Sequence, residues 1–204
     1  MPKADSAAPH RKNDPQGLRS RVLDAAAQLF QQQGYGGATM QEIAVAADVT
    51  PGALHHHFPT KKALGVAVIR ERVAEAVLEA WITPLSRAAS CVEGVQAVFA
   101  EIAEGLEAQG SVRGCPLNNL ALELAFGDAE FRGELRLVFD AWRQALADQL
   151  RADQAAGRLE AWDPESFATF VVAAFSGAMT LAKTEQSARP LRLAASRVLA
   201  ALGA

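Results

Sequence analysis

The densest run of groups able to meet an anion or a metal is His55, His56 and His57, followed shortly by Lys61 and Lys62. Adjacent residues on a helix point about 100° apart, so the three imidazoles cannot converge on one ion, and contact with phosphate is the chemistry that fits them. A second candidate is Cys115, which opens a predicted helix where orphan N–H groups and the positive end of the dipole favour thiolate. Lys183, the one lysine after Lys62, would lower that thiol's pKa further if it lay nearby. Together they read as a sensor of oxidants or electrophiles. The plainer reading, Cys115 packed as a small apolar group and Lys183 solvated, stays open. Cys91 has no distinguishing partner and is expected to be passive. Two cysteines without C-x-x-C spacing argue against a disulfide framework, a zinc site or a redox pair, so no cofactor is expected.

The histidines lie within residues 39–62, which spell two short helices, a tight turn and the start of a third helix. The hydroxyl of Thr39 can cap orphan backbone N–H groups while Glu42 reaches back, a capping box. Ile43, Ala44 and Ala47 then form one apolar face, which Asp48 and Val49 interrupt. Thr50 reads as a new N-cap, with Pro51 at the first helical position, where its missing N–H costs nothing. Phe58 and Pro59 end that helix, and Thr60, Lys61 and Lys62 open the next. Two helices joined by so short a turn form a helix-turn-helix, whose second helix enters the major groove of DNA. Gly34, Gly36 and Gly37 follow a helix, and Thr39 stands where a third glycine would, so they read as a turn and not as a phosphate-cradling loop.

Half of the 204 residues are hydrophobic, ample for a packed core; Ala and Leu abound and alternating strand segments do not occur, so the expected fold class is all-α. The apolar runs are all shorter than the roughly 18 residues of a membrane span, and the N-terminal residues lack the apolar centre of a signal peptide. A cytoplasmic protein without membrane contact is expected. The net charge of −3 divides unevenly: residues 1–72 carry nine Lys or Arg against six Asp or Glu, +3, and residues 73–204 eleven against seventeen, −6. A basic head on an acidic body suits contact with nucleic-acid phosphates.

Residues 1–14 read as a polar arm whose Lys3, His10, Arg11 and Lys12 either meet DNA or form a plain tail. A helix from Gln16 to Gln33 carries Leu18, Val22, Ala25, Ala26, Leu29 and Phe30 at helical spacing and ends at Gly34. A longer one over 60–82 carries Leu64, Ala67, Val68, Val73 and Val77 and is expected to stop at Thr83 and Pro84. Further helices are predicted at about 91–109, 115–126, 128–156, 163–185 and 188–202, punctuated by Gly110, Gly114, Gly127, Gly157 and Pro190.

The run RSRVLDAAAQLFQQQGYGGATMQEIAVAADVTPGALHHHFPTKKAL, residues 19–64, resembles the N-terminal DNA-binding domain of the TetR family of transcriptional regulators. Leu29, Phe30, Gly34, Tyr35, Thr39, Ile43, Ala44, Val49, Gly52, Leu54, His57, Phe58, Lys61 and Leu64 carry the likeness. It implies a homodimeric repressor that binds double-stranded operator DNA and releases it on meeting a small-molecule effector. Residues 15–72 would be the DNA-binding domain and 73–204 a helical regulatory and dimerisation domain. By position, Thr50, Pro51, Gly52 and Ala53 would face bases, and Thr39, His57 and Lys61 the DNA backbone. His55 stands where the family usually has an aromatic residue, which shortens its reach to phosphate. Because the early side chains of this helix are small, Gln41, methyl contacts or DNA shape would add to specificity. Leu54 and Phe58 read as core.

GCPLNNLALELA at residues 114–125, Phe139 with Trp142, and GAMTLAK at 177–183 resemble a C-terminal subgroup that includes sensors of small aromatic, unsaturated or electrophilic compounds. The effector candidates are Cys115, Asn118, Asn119, Leu122, Phe126, Phe139, Trp142, Phe175, Met179 and Lys183, with Phe99 beside them, although aromatic residues at helical spacing are more often core. In the family, helices equivalent to 163–185 and 188–202 build a four-helix dimer interface. Two other classes compete. A Cys115-dependent enzyme lacks a base, since all four histidines lie in the arm and head, and no G-x-S-x-G, H-E-x-x-H or phosphate-loop motif occurs. A helical adaptor that has lost DNA binding is the other, raised by His55.

Overall fold

The computed structural model describes residues 15–159 and 163–203; the arm assigned to residues 1–14 lies outside them. Among the described residues the fold is all helical, without a strand. The first helix, α1 (Pro15–Gly37), buries the expected stripe of Val22, Ala25, Ala26 and Phe30 and breaks at Gly34, where φ is 80° and ψ 162°, a combination open essentially to glycine alone. At α2 (Met40–Ala46) the capping box forms: the Glu42 N–H donates to the Thr39 hydroxyl at 3.2 Å, and the Thr39 N–H to the Glu42 carboxylate at 2.8 Å. Asp48, in the left-handed region at φ 52°, turns the chain into α3 (Pro51–His57), where the Thr50 hydroxyl accepts the Ala53 N–H at 3.2 Å.

The next helix, α4 (residues 61–87), begins at Thr60 and does not stop at Thr83 and Pro84 as predicted. It passes through two π-helical turns, Ile69–Val73 and Leu78–Ile82, and continues to Arg87. In the second turn the Thr83 N–H donates to the Leu78 carbonyl, five residues back. Proline in a regular helix crowds the carbonyl four residues earlier and has no N–H to give; the widened turn before Pro84 relieves that conflict.

Five helices complete the described fold: α5 (Cys91–Gln109), α6 (Pro116–Leu124), α7 (Ala129–Ala155), α8 (Pro164–Glu185) and α9 (Arg189–Ala201). Ser90, Asp128 and Asp163 cap three of them with side-chain oxygens. Helix α8 packs between α7 and α9, and α9 returns against α5. By length and composition α8 is apolar enough to cross a membrane, a test that the core helix of a water-soluble bundle also passes. Ser176 and Thr180 interrupt its apolar run without raising its polarity much, and one of its faces, with Phe167, Val171, Phe175 and Ala178, is buried in the core. Asp153 is the one fully buried charge among the described residues. It accepts the Cys91 N–H at 2.6 Å and two Arg158 N–H groups at 2.7 and 3.0 Å, tying the first turn of α5 to the end of α7.

Helix α1 packs on α2, α3, α4 and α6, so it is the element that joins the first three helices to the rest. Arg19 pairs with Glu71, and Arg72 with Asp24, between α1 and α4. At Gly65 on α4 the approach is closest: a Cβ there would stand 2.8 Å from the Tyr35 ring and 3.0 Å from the Phe131 ring. Gly65→Ala is therefore expected to destabilise the protein by about 1–3 kcal/mol through overpacking. Urea denaturation measures it, and an unchanged midpoint would mean that the rings move aside freely.

Candidate nucleic-acid interface and the cavity behind it

Helix α3 is held from beneath and open above. Leu54 and Phe58 are buried in the core, whereas Thr50, Pro51, Gly52, His55 and His56 are exposed and Ala53 and His57 half-buried. A Cβ at Gly52 would meet nothing, so packing does not demand glycine there; the open backbone instead keeps the outer face of the helix low. Gln41 and Thr39 are exposed on the same head, although the Thr39 hydroxyl also donates to Glu42 at 2.7 Å and is engaged in the cap. Lys61 donates to the Gly36 carbonyl at 3.2 Å and sits 4.6 Å from the centre of the Tyr35 ring. Its ammonium thus fastens the start of α4 to the turn after α1.

The same turn is gripped from the other side. The Glu123 carboxylate, on α6, accepts the Tyr35 N–H at 2.8 Å and the Gly36 N–H at 2.5 Å. Near its other end, the Gln31 amide of α1 donates to the Gly114 carbonyl at 2.6 Å and accepts from Asn119 at 3.1 Å. Lys62 bridges to Asp128 at 2.7 Å and Glu130 at 3.0 Å, and Arg70 to Glu134, along the start of α7. Opposite charge raises the pKa of Lys62 and lowers that of Asp128, mainly through their shared hydrogen bond. Burial, then the Asp128 charge, raises the Tyr35 phenol.

Behind these contacts lies a cavity of about 360 Å³ bounded by α1 and α4 to α8. Trp81, Trp142 and Phe175 form its aromatic end, with ring centres 4.8–5.4 Å apart, and Cys115, Met179 and Arg113 also line it. Four of the predicted effector residues, Cys115, Trp142, Phe175 and Met179, therefore share one space. Six do not. Leu122 and Phe126 are 73% and 100% exposed, Leu122 on the outer side of α6 and Phe126 in the turn that follows it. Asn118 and Phe139 line a separate surface groove between α6, α7 and α8, where Asn118 donates to Thr180 at 3.0 Å. Asn119 is spent on Gln31 and the Arg113 carbonyl, and exposed Lys183 gives its amine to Asn119 at 3.2 Å. Phe99 packs behind Trp81 and Phe175.

The expected thiolate at Cys115 is also corrected. N–H groups of Asn118 and Leu117 do favour it, yet burial dominates and pushes the thiol above its ordinary pKa. Among the described residues no hydrogen bond joins it to Lys183. Cys91 is buried as well, and burial beside Asp153 raises its thiol to about 12. Sequence reading missed Trp81, Gln31 and Glu123. Trp81 had a signal, since Val73, Val77 and Trp81 fall four apart on one helical face. Gln31 and Glu123 had none, being polar residues whose partners lie more than 80 residues away along the chain.

Residues 22–68 match the family model for bacterial regulatory proteins of the tetR family, and residues 91–197 that for the C-terminal domain of LmrA/YxaF-like transcriptional regulators. The chain is 30% identical over 177 residues to the HTH-type transcriptional repressor DhaR of Mycobacterium sp. (strain GP1), covering 85% of this chain and 86% of DhaR. It is 30% identical over 179 residues to the transcriptional regulator AcuR of Cereibacter sphaeroides, covering 83% and 78%. A crystal structure of a TetR transcriptional regulator from Chloroflexus aurantiacus superposes with a TM-score of 0.81 at 28% identity, covering 91% and 94% of the two chains.

The cap that orients the reading helices is testable. Thr39→Ala is expected to cost about 1 kcal/mol in unfolding free energy. The Thr39 hydroxyl and N–H hold the Glu42 carboxyl below its ordinary 4.5. A lowered folded value means that this contribution is complete above the ordinary range and is lost as pH falls through the lowered one. The gap between Thr39→Ala and the parent, measured by urea denaturation, should therefore narrow in acid; a gap constant down to full protonation would refute the reciprocal cap.

Proposed function

Because this chain belongs to the TetR family and is a DNA-binding transcriptional regulator rather than an enzyme, we propose that it is a homodimeric repressor released from its operator by a small molecule in the cavity behind α1. Residues 15–72 are the reading head and 73–204 the regulatory body. Thr50, Pro51, Gly52 and Ala53 meet bases, with Gln41 beside them; His55, His57, Lys61 and the helix start at Thr39 meet phosphates. The observation that carries the reading is the line of hydrogen bonds from cavity wall to head. Gly114, which lines the cavity, is held by Gln31; Glu123 on α6 holds Tyr35 and Gly36; Lys61 holds Gly36 from the α4 side. A molecule that displaces the wall at residues 113–117 pulls on the turn that sets α2 and α3.

Repression agrees with the name of its relative DhaR, a transcriptional repressor. Dimerisation is supported by an exposed stripe on α8, Phe170, Ala173, Gly177 and Leu181, continued by Leu193 on α9, an apolar surface of the kind that marks an interface. Two heads in one dimer would reach half-sites about 34–36 Å apart. For the effector, the aromatic end of the cavity favours a small aromatic or unsaturated compound. Release by modification of Cys115 has weaker support, because burial keeps the sulfur a thiol.

Fluorescence anisotropy with a fragment of the adjacent promoter tests the reading. Binding should weaken linearly in log K against log salt. His55→Ala should lower affinity roughly fivefold, about 1 kcal/mol for one lost hydrogen bond, without changing the fold. Salt-independent binding, or none, would leave the helical adaptor. Glu123→Ala should retain DNA binding within a few fold yet blunt its response to an inducing compound; an undiminished response would remove Glu123 from the coupling path.

A further inference from the structure

Of the three histidines on α3, His56 has had no role so far, yet it occupies the centre of the helix's outer face. At about 100° per residue it lies about 180° from the mean direction of buried Leu54 and Phe58, whereas His55 and His57 each lie about 80° from that direction, on opposite flanks. Exposure agrees, since His56 is exposed and His57 half-buried. Gly52 and Ala53, one turn earlier, share the outer face and add only a hydrogen and a methyl group. A Cβ at Gly52 would meet nothing, so nothing flanks His56 on that side. Pro51 has no donor, and the Thr50 hydroxyl already accepts the Ala53 N–H in the cap. Seven residues rising about 1.5 Å each make roughly 10 Å of helix, shorter than the major groove's width of about 12 Å, so the last turn of α3 can enter with the first.

The charges on the neighbouring elements leave this imidazole to its ligand. On α1, Arg19 stacks over the Phe58 ring and pairs with Glu71, Arg21 donates to the Ala47 carbonyl, and Asp24 pairs with Arg72. On α2, Glu42 is tied into the Thr39 cap, and Lys61 at the start of α4 is at the Gly36 carbonyl. Asp48 sits in the turn before α3. Among the described residues no ion pair joins His56 to any acid, and its ring meets that of His57 edge to face with centres 5.5 Å apart.

Resting on the reading of α3 as the helix that meets bases, we infer that His56 is its specificity-determining side chain and, as an imidazolium, reads a guanine in each half-site by donating to N7 or O6. The flanking His55 and His57 face the phosphates at the groove walls, which position the helix without reading sequence, while His56 faces the base edges. Guanine alone presents two acceptors in the major groove; adenine and cytosine present an amino donor there, which an imidazolium cannot accept. A neutral imidazole carries one donor and one acceptor and loses that discrimination. An imidazole in water takes up its proton at about pH 6.5, and the charge of nearby phosphates favours the protonated form. The preference for guanine is therefore full in mild acid and fades as pH rises through the imidazole range.

The test begins by selecting bound duplexes from a random-sequence pool with the full-length protein. Fluorescence anisotropy then compares the selected duplex with versions in which single G·C pairs of one half-site become A·T, at about pH 6 and about pH 8, on either side of the imidazole range. Each ratio cancels whatever His55 and His57 contribute through phosphates. At one position guanine should be favoured roughly tenfold in mild acid, as expected of one hydrogen bond from a charged donor, and by about twofold or less at the higher pH. His56→Ala should abolish that preference, and His56→Gln should turn it toward adenine, whose N7 and N6 an amide matches. His56→Arg should keep guanine at both pH values, because a guanidinium stays charged, and its binding shows that an altered head still folds. His55→Ala should weaken every duplex alike. A guanine preference that survives in His56→Ala, or that is the same at both pH values in the parent, would overturn the inference and leave α3 as a DNA-binding helix. No salt-sensitive enrichment from the pool would instead overturn the DNA-binding reading on which the inference rests.

Discussion

Two backbone N–H groups and one carboxylate set the geometry on which the rest depends. Near the end of α1 the backbone leaves helical geometry at Gly34 before α2 begins, and the Tyr35 and Gly36 N–H groups just beyond it donate to a side chain. Glu123 supplies both acceptor oxygens from α6. A Cβ at Gly34 would stand 3.1 Å from one of those oxygens, so the glycine serves the backbone angle and the approach of the carboxylate together. Charge-assisted bonds of this kind are stronger than neutral ones, and here they are all directed at one point. Since Lys61 occupies the Gly36 carbonyl, the turn is held by a cation on one side and an anion on the other. The orientation of α2 and α3 relative to the body is thus fixed by polar contacts with narrow distance tolerance, laid over the apolar packing of Leu54, Phe58 and Leu64.

The body solves a different problem. Its centre gathers Trp81, Phe99, Trp142 and Phe175 edge to face, which buries large apolar area with favourable ring geometry. Bulky rings meeting from four helices leave space between them where smaller residues, Ala76, Ala80 and Cys115, complete the lining. The cavity is a by-product of ring size that the sequence has kept, and its burial governs the sulfur within it. A thiol at a helix start in water would tilt toward thiolate; the same thiol buried in the body does not.

The contrast explains what was legible. Caps are local, and Thr39, Thr50, Thr60, Ser90, Asp128 and Asp163 each precede a helix whose N–H they accept, so helix starts could be read within a residue or two. The outer face of α3 was legible for the same reason, because Leu54 and Phe58 declare which side is buried. The apolar effector candidates were legible only as residues at helical spacing. That pattern says a side chain turns inward, and it cannot say whether the interior there is filled or hollow. It also misplaced Leu122, on the exposed side of α6, and Phe126, in the exposed turn after it. Helix ends fared worse at Pro84, where two π-helical turns, invisible to a 3.6-residue period, let α4 run on.

Those two turns have a consequence for exchanging heads among relatives of this fold. Each holds one residue more than α-helical winding accommodates, so α4 keeps a phase between head and body that depends on residue count and not on residue type. A chimera joined within Ile69–Ile82 that lost a single residue would restore ordinary winding there. A residue lost from an ordinary α-helical stretch of α4 would instead rotate everything N-terminal to it by about 100° and shift it about 1.5 Å along the axis. Interchangeability of modules in such a chain is governed by arithmetic along one helix, and the joints that tolerate a lost residue lie in the turns Ile69–Val73 and Leu78–Ile82.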